Sequence, residues 1–290
     1  MAISYPWASQ TFERLLQIKQ ADQLPHAIAL TSAPGWGLST ILSQLVQMLV
    51  GVESTLPIQE IAHQDLRWLE PDGTEIKVQQ IRSLSEFVVQ TAQIGDCKVV
   101  GIDQAHLLNI NAANALLKSL EEPVANTYLI LATEHWGRVL PTIRSRCQRF
   151  VIPNSSATAL DWLDSEGHKI SNDQFAAAGY APVFCAEFYG QQNFDISPWI
   201  EGLQKSNQSQ SHIADSYAAV ADLPPVALLD IWYRFIIRTI PQQDNASTRS
   251  GLLKFAQVLQ FNRRQIATKN SANVRLLIEQ LILEWAQTSR

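Results

Sequence analysis

Cysteine is scarce in this 290-residue chain: three are present, at positions 97, 147 and 185, and none sits in a C-x-x-C pair. That spacing supports neither a zinc ribbon nor a disulfide framework, and the three read as reduced, buried thiols. No apolar run reaches the ~20 residues that a bilayer span needs. Positive charge is also short. The 22 Lys and Arg against 27 Asp and Glu leave a net charge of −5, which argues against a free-standing, non-specific DNA binder, because neutralising phosphates takes clustered cations. A subunit that meets DNA only inside a larger assembly stays compatible with that balance. The N-terminal Met1-Ala2-Ile3-Ser4-Tyr5-Pro6-Trp7 lacks a basic segment leading into an apolar one, so no signal peptide is read there and a cytoplasmic location is expected. His26, His63, His106 and His135 are scattered without ligand spacing, and no metal site is expected.

What is present is an ordered composition, 46% hydrophobic and 17% charged, in a chain long enough for two or three domains. The first half alternates short apolar runs with helical patterns, the mark of an α/β fold on a parallel sheet. Strands are predicted at 27–31, 66–69, 98–102, 128–132 and 148–152. Helices are predicted from about 39, with Ile41, Leu42, Leu45, Val46 and Leu49 on one face, and at 78–91 and 111–121. Beyond Pro153 strands fade. Residues 204–212, rich in Ser, Asn and Gln, read as a linker, and helices are predicted at 225–240, 251–260 and 272–286.

Between the first strand and its helix lies Ser32-Ala33-Pro34-Gly35-Trp36-Gly37-Leu38-Ser39. A working phosphate loop has the form G-x-x-x-x-G-K-[ST] in this position. Its amides and helix N-terminus cradle phosphate, its Lys adds a positive charge, and its hydroxyl holds Mg²⁺. Here the first Gly is Ser32 and the Lys is Leu38, so hydrolysis is expected to be very weak or absent. The preferred reading is a glycine-rich turn joining strand to helix. The alternative is residual nucleotide binding on the amides of Gly35 to Thr40, with Ser39 or Thr40 on a metal. Strand 98–102 runs into Asp103, the layout in which an Asp reaches Mg²⁺ and the next acid polarises water. That next residue is Gln104, which cannot act as a base. Asp103 itself is read equally as a turn or capping carboxylate and as a residual metal contact.

The runs Tyr5-Pro6-Trp7, Leu24-Pro25-His26-Ala27, Ile76-Lys77-Val78-Gln79-Gln80-Ile81-Arg82, Asn114-Ala115-Leu116-Leu117-Lys118-Ser119-Leu120-Glu121-Glu122-Pro123 and Ile143-Arg144-Ser145-Arg146-Cys147 occur in this order. Together they resemble the clamp-loader branch of the AAA+ superfamily, firmly over 5–153 and less closely beyond. The resemblance implies an α/β P-loop domain (1–153), a small helical lid (154–205) and an all-α collar (206–290). It implies a member without cofactor or ATPase of its own, within a DNA polymerase holoenzyme. Its partners would be gamma or tau and delta subunits, the sliding β clamp reached through the complex, and primed DNA in the assembled ring. Two departures stand out: 43–96 has no Cys, so the four-cysteine module of many relatives is missing, and the lid is short and irregular. Ala177-Ala178-Gly179-Tyr180-Ala181-Pro182 resembles the lid's Gly-x-x-Pro turn, with no Arg or Lys sensor placed there.

In that family the arginine of the S-R-C triplet points at a neighbour's ATP, and Arg146 matches it, with Arg144 and Arg149 as nearby alternatives. From the residues alone, these arginines read as a solvated or salt-bridged cluster; the resemblance turns the reading to an arginine that acts in trans. Thr133 matches the family's sensor position, but is read as a strand-end hydrogen-bonding residue. Lys118 is read either as facing DNA or as part of a solvated helix face. The tryptophans, Trp162, Trp199, Trp232 and Trp285 among them, are read as core or interface anchors. Arg263, Arg264 and Lys269 are read as an intersubunit salt-bridge surface. The competing function is an active motor ATPase, against which Leu38 and Gln104 speak.

Overall fold

The computed structural model describes residues 4–191, 199, 201–202, 225–268 and 274–288. The chain divides into two compact units, Met1–Trp162 and Leu163–Arg290.

The first unit is built on five parallel strands: β1 (Ala27–Thr31), β2 (Leu66–Leu69), β3 (Lys98–Ile102), β4 (Thr127–Thr133) and β5 (Gln148–Val151), in the order β2-β3-β4-β1-β5. Parallel neighbours need helical crossovers that cover both faces, which is why β1 and β3 are buried at every residue. The helices are α1 (Ser9–Gln20), α2 (Leu38–Val50), α3 (Val78–Val88), α4 (Ile110–Glu121) and the short α5 (Pro141–Arg144). On one face Val100, Ile102, Leu129 and Leu131 pack with Ile81 and Leu84 of α3 and Leu116 and Leu120 of α4. On the other face α2 approaches closely. A Cβ on Gly101 would stand 2.8 Å from the Trp68 ring and 3.2 Å from Val46 of α2, so this strand glycine marks a tight helix–sheet contact.

Strands β1, β2 and β3 fall where the sequence places them. β4 is one residue longer at each end, and β5 stops one residue early. The helix expected over 78–91 ends at Val88, and the cause lies on β3. Buried Lys98 sends its ammonium to the carbonyls of Phe87 and Gln90 (2.8 Å for the latter), beneath the Phe87 ring, so one last-turn carbonyl and one just past the helix end are satisfied by a side chain of the sheet. α1 was not anticipated, since only Thr11, Phe12 and Leu15 of its twelve residues are buried, too narrow a stripe to read.

After β5 come α6 (Ser156–Ser165), α7 (Asn172–Ala177) and α8 (Pro182–Gln191). α7 opens on a capping box in which Ser171 and Gln174 satisfy each other's amides. Three longer helices, Pro225–Thr239, Ala246–Thr268 and Val274–Thr288, share a core around Trp199, Trp232, Phe255 and Trp285. The middle helix extends well beyond the expected 251–260 at both ends. Its polar first turn carries no apolar stripe, but Asn245 caps it, its side chain accepting from the Ser247 amide at 2.8 Å. The linker at 204–212, Lys269 and the Arg264 side chain lie outside the described residues; Arg263 pairs with Asp230. Among the described residues no helix is long and apolar enough to cross a membrane, and no group of three or more His, Cys, Asp or Glu is placed to hold a metal ion.

Candidate functional site

The carboxyl ends of β1, β3 and β4 converge, which is where an open parallel sheet offers its crevice. The loop after β1 turns through two left-handed glycines, Gly35 (φ +78°) and Gly37 (φ +73°), the second standing just before α2. The strand–loop–helix placement of a phosphate loop is therefore present, with Leu38 standing where its Lys would be. Trp36 and Leu38 are buried within it, and Ser39 and Thr40 begin α2 at the surface.

Three of the groups that would meet a phosphate or its metal are engaged by the chain itself. The Gly35 amide donates to Glu134 Oε1 at 3.0 Å. The Ser39 hydroxyl donates to Asp103 Oδ2 at 2.6 Å, and the other Asp103 oxygen accepts from the Gln104 amide at 2.8 Å. These contacts tie α2 to the end of β3 and close the 103–104 turn, in which Gln104 adopts φ +49°. Burial pushes the Asp103 carboxyl above its usual range, the hydrogen bonds from Ser39 and Gln104 offsetting part of that rise. From the other side, the Tyr5 ring lies against Gly37, where an added Cβ would come within 2.3 Å of it. Tyr5 stacks on Trp7 at 5.0 Å, Trp7 meets Trp36 and Trp162 edge-on, and Trp7 Nε1 donates to the Trp36 carbonyl at 3.1 Å. Thr133 accepts from the His135 amide at 3.0 Å and lies 3.1 Å from His106 Nδ1. Burial, with Arg138 nearby, pushes the His135 imidazole down.

Arg146 lies elsewhere. β5 runs parallel to β1 with Gln148 level with Ile28 and Val151 level with Thr31, so Arg146, two residues ahead of β5, belongs to the opposite end of the sheet from the loop. Along β1 alone that is a separation of roughly 13 Å at ~3.3 Å per residue. Arg146 is exposed. Its Nη1 donates to the Thr142 carbonyl at 2.9 Å and to Ser145 Oγ at 3.3 Å, and its Nη2 pairs with Glu121. Arg144 and Arg149 stand over the Trp136 ring, 5.9 and 5.2 Å from its centre, and Arg149 Nε also donates to Thr31 Oγ1 at 3.0 Å. The structure thus gathers Gly35, Gly37, Ser39 and Asp103 at one end and leaves Arg146 at the other.

The family model for the DNA polymerase III delta subunit matches residues 7–156. DNA polymerase III subunit delta prime of Pseudomonas aeruginosa is 33% identical, the match covering 99% of this chain and 98% of that protein. The chain belongs to the DNA polymerase III delta prime family. The delta prime subunit of Escherichia coli is 35% identical over 60% of this chain and 56% of its own length. Among solved structures, a gamma subunit-related protein of Thermotoga maritima aligns with a TM-score of 0.51 at 16% identity, covering 95% of this chain and 99% of that one; this likeness speaks to the fold alone.

Three residues of the site escaped the sequence reading. Glu134 directly follows Thr133, the strand-end residue singled out, and an acid next to it was the available signal. Tyr5 lies in the Tyr5-Pro6-Trp7 run without a role assigned. Glu121 sits inside the A-L-L-K-x-L-E-E-P run, and nothing in that run says which side chain it meets.

Proposed function

We propose that this chain is a non-hydrolysing, delta prime-type member of a bacterial replicative clamp loader, acting in the cytoplasm. It joins gamma or tau and delta subunits in a ring that places the sliding β clamp on primed DNA, and it lends Arg146 to the ATP site of a neighbouring subunit. The observation that carries this reading is the position of Arg146 at the far end of the sheet from the chain's own loop, so a nucleotide it serves belongs to another chain. A guanidinium beside a transferring phosphoryl group is worth roughly 10³–10⁵ in rate. The chain's own loop, with its Gly35 amide and Ser39 hydroxyl engaged and Leu38 in place of lysine, supports the absence of turnover at home and disfavours a motor ATPase. The test is a reconstituted assembly carrying Arg146→Ala. DNA-stimulated ATP hydrolysis and clamp loading fall while the ring still assembles; undiminished loading by that variant would refute the assignment.

A further inference from the structure

Glu121 is the last residue of α4, and its carboxylate pairs with Arg146 Nη2 while Nη1 is held by the Thr142 carbonyl of α5 and by Ser145 Oγ directly after it. Resting on the reading that Arg146 acts in trans, we propose that Glu121 is its positioning residue, fixing the guanidinium in the pose presented to the neighbouring subunit's phosphate.

An arginine stem left in solvent samples many rotamers, and a misplaced cation loses its effect on a transition state. Here one planar group is gripped from two elements. Glu121 has a firm footing: His26 Nε2, just ahead of β1, donates to the Leu120 carbonyl at 2.9 Å, the Glu122 amide closes on Lys118 at 3.0 Å, and Leu116 and Leu120 are buried in the core. The carboxyl end of α4 also carries the negative pole of the helix, which favours a guanidinium beside it. Arg144 and Arg149 rest instead over Trp136. The Glu121–Arg146 side chains remain 48% and 35% exposed, so water screens the pair and it adds little to folding stability. Its consequence is orientation. The guanidinium has five N–H donors, enough to hold Glu121 and a phosphate oxygen together.

The experiment uses the reconstituted clamp-loader assembly containing the full-length chain as wild type, Arg146→Ala, Glu121→Ala, Glu121→Gln and the Arg146→Ala/Glu121→Ala double variant. DNA-stimulated ATP hydrolysis is measured against ATP concentration, and ring assembly by size-exclusion chromatography. Glu121→Ala lowers kcat by about tenfold with KM and assembly unchanged. Glu121→Gln, which keeps an acceptor oxygen, recovers part of the loss, and the double variant is no slower than Arg146→Ala alone. A Glu121→Ala kcat at or above wild type, or a further loss in the double variant, overturns the proposal while leaving the Arg146 reading intact. An Arg146→Ala assembly at wild-type kcat overturns the underlying reading instead. Should Glu121→Ala fail to assemble, Glu121→Gln decides: an intermediate kcat supports positioning, and a wild-type kcat refutes it.

Discussion

The carboxylate of Glu134 accepts a hydrogen bond from the amide of Gly35 at 3.0 Å, across 99 residues of sequence. A side-chain anion thus sits on a loop amide of the kind that holds phosphate in working relatives of this fold.

Restoring the missing charge does not by itself restore chemistry. Leu38→Lys, alone or with Gln104→Glu, shows no ATP turnover above background in a phosphate-release assay, because Glu134 still occupies the Gly35 amide and Ser39 still donates to Asp103. Turnover by the double variant with Glu134 in place would contradict a loop closed by its own neighbours.

Gly37 combines a left-handed backbone with direct contact to the Tyr5 ring. Gly37→Ala costs roughly 1–3 kcal/mol for the backbone and a similar amount for displacing the ring, read by urea denaturation. In a Tyr5→Ala background the steric part disappears and the backbone part stays, so the two substitutions are not additive. Strict additivity would show that the ring contact is immaterial.

Asp103 carries a pH signature. Its pKa in the folded chain is raised above the ordinary 3.8, so the folded state holds the proton more tightly and stability falls as pH rises from about that value through the raised pKa, then levels. Asp103→Asn removes this dependence. The melting temperature of the variant relative to wild type therefore climbs between pH 4 and neutrality; a difference that stays flat over that interval contradicts the burial argument.

Asp65 behaves in the opposite sense. Burial pushes its carboxyl up, but amide hydrogen bonds from Gly95 (2.9 Å), Gln93 and Ile94 (both 2.7 Å), with His63 nearby, carry it below 3.8. A lowered pKa gives stability that is complete above 3.8 and lost as pH falls through the folded value. Asp65→Ala leaves three partly exposed loop amides without their carboxylate acceptor and costs roughly 1–2 kcal/mol at neutral pH, measured by denaturant titration. Its deficit shrinks in acid, and a deficit independent of pH would rule the carboxylate out as the cause.

Much of the fold is legible because parallel strands buried on both faces are short apolar runs bounded by turns, as at 27–31 and 98–102. The replaced lysine and acid at Leu38 and Gln104 are equally plain, since they depart from a motif of fixed spacing. What fills the loop is not legible. Glu134 reaches Gly35 only because β4 lies beside β1, and strand order is not written in local sequence. Tyr5 reaches Gly37 through a packing of four aromatic rings, and Glu121 meets Arg146 because α4 and α5 both end near the base of the sheet. Each is a meeting of distant segments set by tertiary topology.

The Tyr5, Trp7, Trp36 and Trp162 rings have a consequence for how this chain can change over generations. A single substitution toward a nucleotide-binding loop meets a site still blocked by the remaining groups, so no intermediate along that path is rewarded. Removing the rings first opens a hole in the packing and weakens the chain before any activity returns. On the proposed reading, reopening the loop is in that sense a step taken against stability.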